Sequence, residues 1–269
     1  MRPSIIFLGT GQGADVVGKQ ILGSGGIVVQ TADHQIHIDP GPSSLLMARE
    51  NHVNPRATTS ILVSHSHINH CNDVNVLIDA MTLSGLDKKG VLISNNLLIN
   101  GDILTRPYLT EFHKHCLEKY MVLKEGQKAA IDDIEIMATA TKHSVECIGF
   151  RIDSPDFILS YLADTEFVPE HVKQHQGCDI LILNVVYPFE AKKENNLNSA
   201  DAVKIINKLR PKLAIVTHFS KQMLDADILL ESRRINRETK AQVVAAKDGM
   251  AINPLTYSSK RTQTLLKGF

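Results

Sequence analysis

Short apolar runs separated by polar turns recur along the chain. Their spacing predicts strands at residues 5–8, 27–30, 35–38 and 61–63, the middle pair joined by a turn at Ala32-Asp33-His34. Further strands are expected at 91–93, 134–137, 148–152, 157–162, 180–183 and 213–216, with a late one near 242–246. Between them the period lengthens. Residues 72–83 put Val74, Leu77, Ile78 and Met81 on one helical face, and residues 199–209 do the same with Ala202, Val203, Ile206 and Leu209. Asn198 or Ser199 can cap the second of these helices. Another helix is expected within 226–238, and 108–120 also looks helical. Alternating strands and helices give a mixed α/β class. No repeat period or low-complexity linker divides the chain, so a single domain over 1–269 is expected.

One strand candidate delivers chemistry. Directly after Ile61-Leu62-Val63 comes Ser64-His65-Ser66-His67-Ile68-Asn69-His70, with three imidazoles in six residues. Histidine ligates a metal as the neutral ring, so such clustering makes sense where a cation offsets the desolvation. In extended chain His65 and His67 point to the same side, and His70 reaches back from the turn that follows. A solvent-facing polar loop would explain one histidine but not three at this spacing. Phe112-His113-Lys114-His115-Cys116 is an internal control: on a helix those two rings diverge by about 200°, which suits a solvated face. His34, His37, His52, His171 and His175 lack a site context and are expected at the surface.

These residues and four further matches resemble the metallo-β-lactamase-fold hydrolases, whose signature is His-x-His-x-Asp-His followed by separate His, Asp and His motifs. Asp39 in Ile36-His37-Ile38-Asp39-Pro40-Gly41 looks like the structural acid of the first motif. His143 in Thr141-Lys142-His143-Ser144 looks like the third motif, Asp164 in Tyr161-Leu162-Ala163-Asp164-Thr165 like the metal-bridging aspartate, and His218 in Thr217-His218-Phe219-Ser220 like the last ligand. The opening Leu8-Gly9-Thr10-Gly11 and the Thr-His-Phe-Ser element are most similar to the branch holding ribonuclease Z and a cyclic phosphodiesterase. The resemblance implies a four-layer αββα sandwich and two metals, Zn2+ foremost with Mn2+ or Fe2+ as alternatives. It implies that His65, His67 and His143 hold one metal and His70 and His218 the second, with Asp164 bridging. It also implies a metal-bound hydroxide as the nucleophile, with Asp164 and His218 at the catalytic centre.

Two departures from the family pattern change the expectation. Asn69 stands where the pattern has Asp, which removes a negative charge beside the second metal, weakens that metal and favours an anionic substrate. As an alternative, Asn69 is a turn or helix-cap residue. The phosphodiesterase branch carries a proton-donating His before the helix that precedes the last ligand strand. Here Glu194-Asn195-Asn196-Leu197-Asn198-Ser199-Ala200 has none, so the general acid is unassigned. A metal-dependent hydrolase of phosphodiester bonds is the leading expectation. A thioester or lactone hydrolase is the enzymatic alternative, and a non-catalytic metal-binding scaffold is the other.

Composition narrows the partners. With 269 residues, 43% of them apolar and 22% charged, the chain can bury a large core. Its formal net charge of zero favours a small-molecule or nucleotide-type anionic substrate; it leaves nucleic acid open without indicating it. Arg233-Arg234-Ile235-Asn236-Arg237 reads as a solvated helix face. Cys71, Cys116, Cys147 and Cys178 form no Cys-x-x-Cys pair and suit reduced thiols in a cytoplasmic protein, with Cys71 close enough to border the site. No segment has the length of a membrane span. A homodimer is left open. Gly9-Thr10-Gly11-Gln12-Gly13 lacks the full dinucleotide fingerprint and is expected to form a turn beside the active site, and 82–142 is expected to supply part of the substrate wall.

Overall fold

Two mixed β-sheets face each other in the computed structural model, which describes residues 2–191 and 193–260; the remaining positions of the domain expected over 1–269 lie outside the described residues. The first sheet is built from β1 (Ser4–Gly9), β2 (Ser24–Gln30), β3 (Gln35–Ile38), β4 (Ser60–Val63), β5 (Val91–Ser94) and β6 (Lys119–Val122). The second contains β7 (Lys128–Ile131), β8 (Ile134–Ala140), β9 (Ile148–Asp153), β10 (Ile158–Leu162), β11 (Ile180–Tyr187), β13 (Leu213–Thr217) and β14 (Gln242–Ala245), with β12 (Leu197–Asn198) beside the end of β11. β15 (Ala251–Ile252) returns to pair with β1, giving the orders β15-β1-β2-β3-β4-β5-β6 and β14-β13-β11-β10-β9-β8-β7.

Alternation along each strand makes the layers. Leu62 joins Ile5, Phe7, Ile36, Phe150, Ile180 and Ile182 between the sheets, while its neighbours Ile61 and Val63 face α3 (Val74–Thr82) through Val74, Leu77, Ile78 and Met81. Across the sandwich Leu181, Leu183 and Val185 pack on Ala202, Ile205, Ile206 and Leu209 of α7 (Ser199–Leu209). Val203, expected on that face, is only half-buried, and Ile205 takes the place. Each such Leu or Ile contributes about 1.5–3 kcal/mol on burial. With helices on both outer faces, the result is the expected αββα sandwich. Among the described residues no helix is long and apolar enough to cross a membrane.

The topology gathers strand ends at one edge. β3–β4, β4–β5, β10–β11 and β11–β13 are parallel, so their carboxyl ends open on the same side. Ligands of open α/β sheets gather at such ends, because the chain leaves each strand there with its direction fixed.

Two further expectations are corrected. Helix α5 (Glu111–Cys116) is capped by Thr110 and stops before β6, which pairs with β5 in parallel, so 108–120 is not one helix. Its two histidines do diverge, each bonded within its own turn, His113 to Thr110 Oγ1 and His115 to Glu111 O. His34, His37 and His175 are buried rather than at the surface, His37 because every position of β3 is covered on both sides. His37 Nε2 donates to Gly25 O at 2.7 Å, yet burial still pushes its pKa down to about 4. Burial, Arg151 and His171 push His175 down to about 3, and neither of its ring nitrogens has a hydrogen-bond partner among the described residues. The glycine turn at Gly9 and Gly11 lines a narrow crevice beneath the histidine cluster, as expected of a turn beside the site.

Candidate metal centre

Chain direction at the strand ends sets the site. After β4, Ser64 turns the chain, His65 and His67 follow, and the short helix α2 (Ile68–Cys71) brings His70 back. The loop after β3 fits under α2 because residue 41 is glycine: a Cβ there would collide with the carbonyl oxygens of Asn69 and Ser24. His143 follows β8, Asp164 follows β10 and His218 follows β13, where His218 adopts a left-handed conformation with φ 72°. Such backbone costs about 1–3 kcal/mol and persists only where its surroundings enforce it.

Two groups of donor atoms result, each within 4.8 Å: His65, His67, His143 and Asp164, and His70, Asp164 and His218. His67 Nδ1 lies 2.9 Å from His65 Nε2 and 3.2 Å from His143 Nε2. Nε2 of His70 and of His218 are 3.2 Å apart. The Asp164 carboxylate sits between the groups, 3.9 Å from His65 Nε2 and His143 Nε2, 3.5 Å from His70 Nε2 and 3.3 Å from His218 Nε2.

The outer ring nitrogens fix what the inner ones present. His70 Nδ1 meets Asp39 Oδ2 at 2.9 Å and His143 Nδ1 meets Asn195 O at 2.8 Å; both partners only accept, so Nδ1 carries the proton in each ring. Ser64 Oγ gives its hydrogen to Asp39 at 2.7 Å and therefore accepts from His65 Nδ1 at 2.9 Å. In the neutral rings, the form that ligates a metal, lone pairs on the three Nε2 atoms thus point inward. Facing lone pairs about 3 Å apart repel unless a cation or proton lies between them. Tetrahedral bonds of about 2.0–2.2 Å would set donors about 3.3–3.6 Å apart, which the observed 2.9–3.9 Å brackets. The residues present fit divalent metal.

Electrostatics agree. Burial, then His70, pushes His65 well below the usual histidine range, and burial also lowers His67 and His218. Burial opposes protonation of His70 as well, but Asp164 and Asp39 outweigh it and hold the ring up to about 10. Asp164 is held well below the carboxylate range, with His218 and His70 outweighing its burial. The pocket therefore stabilises positive charge next to Asp164.

Asn69 does not cap α2, whose N-cap is His67; its amide Nδ2 faces His218 Nε2 at 3.3 Å, and a half-turn about χ2 would present Oδ1 instead. Asp164 caps no helix either, since the next one, α6 (Pro169–Val172), begins after Val168. Asp39 lies beneath the cluster and accepts from Ser64 N, Ser64 Oγ, Tyr161 OH and His70 Nδ1 at 2.6–2.9 Å.

Three residues at the site escaped the sequence reading. Asn184 Nδ2 donates to Asp164 Oδ1 at 2.8 Å and to Tyr161 OH at 3.1 Å, linking the central carboxylate to Asp39 through Tyr161. Cys147 Sγ lies 3.6 Å from His65 Nδ1, so Cys147 borders the cluster while Cys71 bonds Ser66 O behind it. A polar side chain inside a fully buried strand needs a buried partner, and Tyr161 and Asn184, each amid aliphatic residues, carried that signal.

Known proteins are similar to this chain in sequence and in fold. The model of the beta-lactamase superfamily domain matches residues 34–219. An uncharacterised protein of Methanocaldococcus jannaschii is 31% identical over 263 residues, covering 97% of this chain and 98% of its own. The metallo-β-lactamase fold protein YhfI of Bacillus subtilis superposes with a TM-score of 0.78 at 18% identity, over 94% of this chain and 99% of that one. A diphosphatase of the PhnP family (TM-score 0.69, 19% identity, 94% and 97% covered) and the short form of human tRNase Z (0.68, 16%, 93% and 98%) share the fold. The family match spans every strand end that supplies the histidines and Asp164, and on that ground the chain belongs to the metallo-β-lactamase-fold branch of the beta-lactamase superfamily, a family of metal-dependent hydrolases.

Proposed function

We propose that the protein hydrolyses phosphodiester bonds with two divalent cations, zinc foremost, held by His65, His67, His143 and Asp164 and by His70, His218 and Asp164, with Asn69 beside the second. One observation carries the reading: five imidazoles and a single carboxylate form the donor set, so a pair of divalent cations keeps an excess of about three positive charges, about two once a hydroxide nucleophile is bound, for an anionic substrate. A neutral thioester or lactone would leave that charge unmatched. The names of the PhnP-family diphosphatase and tRNase Z, both acting on phosphate linkages, support the same direction.

When bound, such cations polarise the scissile bond and supply a nucleophile from water at neutral pH. The chain's own part is positional. Asn184 sets the carboxylate plane of Asp164, Asp39 fixes the tautomer of His70, and the Asn195 carbonyl does so for His143. The four cysteines are free, and three of them are buried, which supports the cytoplasm as the proposed location.

The test is turnover by metal-loaded protein of bis(p-nitrophenyl) phosphate, an aryl thioester and an aryl lactone. Phosphodiester hydrolysis that disappears in Asp164→Asn is expected. Turnover of the thioester or lactone alone would overturn the assignment, and metal binding without any turnover would favour the scaffold reading.

A further inference from the structure

Beside the His218 edge of the metal centre lies a cleft of about 190 Å³ that contains none of the donor residues. Its walls are continuous with the site. Gln12 N donates to Phe219 O, the residue after His218, and Ser220 N and Oγ both bond Val186 O, the residue before Tyr187. Burial, and then the Asp164 carboxylate, push the Tyr187 phenol up, so it stays a neutral O–H donor within electrostatic reach of the site. Lys193, two residues before the Asn195 carbonyl that holds His143, sets its ammonium 5.6 Å from the Tyr187 ring centroid and pairs with no carboxylate among the described residues. Lys221 enters from the other wall, tied to Asp225. Asp15 at the rim has Lys19 3.3 Å away. The amides of Gln12 and Gln222 complete a lining that holds no aliphatic side chain larger than Ala14. An acyl tail would find only the Tyr187 ring, Ala14 and the lysine stems as apolar wall. A phosphate or carboxylate would find two ammonium groups, a phenol and two amides, all able to donate.

We propose that this cleft, through Tyr187, Lys193 and Lys221, holds a second anionic group of the substrate next to the scissile bond, making organic phosphates with two separate negatively charged groups the preferred class. The inference rests on the phosphodiesterase reading for its setting, but binding tests it separately. Calorimetry on metal-loaded protein compares adenosine 3′,5′-bisphosphate with adenosine 5′-monophosphate. The bisphosphate should bind at least about tenfold more tightly, and Lys193→Ala with Lys221→Ala should shrink that preference to about twofold or less, whereas the paired Lys→Arg changes should keep it. Equal affinity in the wild type, no binding of either ligand, or a preference that survives the double alanine change would overturn the proposal. Hydrolysis of bis(p-nitrophenyl) phosphate, which has no second anion, is read alongside. Its absence would sink the phosphodiesterase reading while the binding comparison still decides the subsite.

Discussion

Tyr161→Phe removes one oxygen from the centre of the buried network and leaves the ring, which packs between the sheets, in place. The hydroxyl is buried, donates to Asp39 Oδ2 at 2.6 Å and accepts from Asn184 Nδ2 at 3.1 Å. A hydrogen bond to a charged acceptor contributes about 1.5–3 kcal/mol, and Asp39 keeps its three other donors, so a destabilisation of about 2 kcal/mol is expected. At this chain length that corresponds to a fall in Tm on the order of 5 °C. The second consequence is at the metal. Asp39 holds His70 and Asn184 holds Asp164, and loss of such supporting contacts typically lowers metal affinity about 10–100-fold; with both contacts weakened rather than lost, about tenfold is expected. Urea unfolding and a chelator competition read the two effects, with Tyr120→Phe, on an exposed tyrosine, as the control. If Tyr161→Phe unfolds at the wild-type urea concentration and holds metal as tightly, the network does not support the site and the reasoning fails.

Asn69→Asp places an anionic oxygen about where an amide now lies 3.3 Å from His218 Nε2, so it should tighten the more weakly held metal equivalent about tenfold in a chelator titration; unchanged binding would show that residue 69 does not meet the metal. Acid should weaken the fold through His37 and His175, whose folded values of about 4 and about 3 lie below the ordinary 6.5. The unfolded chain binds the extra protons, so stability is full above pH 6.5 and falls as pH drops toward those values, by about 2 kcal/mol per histidine at pH 5. Urea unfolding at pH 7.5 and pH 5 should show His175→Leu losing about 2 kcal/mol less than the wild type, and an identical loss would refute the assignment.

Strands whose aliphatic residues alternate between the inter-sheet core and a helix were legible in the sequence because both faces demand apolar side chains. So were the histidines delivered at their ends. β6 and β7 were not: Lys119-Tyr120-Met121-Val122 and Lys128-Ala129-Ala130-Ile131 are short outer strands with exposed positions, and their partners, not their composition, make them strands. Burial of His37 and His175 was hidden for a related reason, since histidine suits either setting and only tertiary packing decides. The Asp164–Asn184–Tyr161–Asp39 chain joins residues up to 145 positions apart (184 − 39), a proximity that no local pattern encodes. Asn69 could be singled out by its departure from the family pattern, but its facing His218 required the fold.

Elemental analysis of the purified protein and of the His65→Ala, His67→Ala double variant, both reconstituted with zinc and desalted, tests the metal centre most directly. The two donor groups predict up to two equivalents of metal per chain in the wild type and loss of at least the equivalent held by His65 and His67 in the variant, with the fold retained by circular dichroism. A wild type that retains no metal, or a double variant that retains as much as the wild type, would contradict the account.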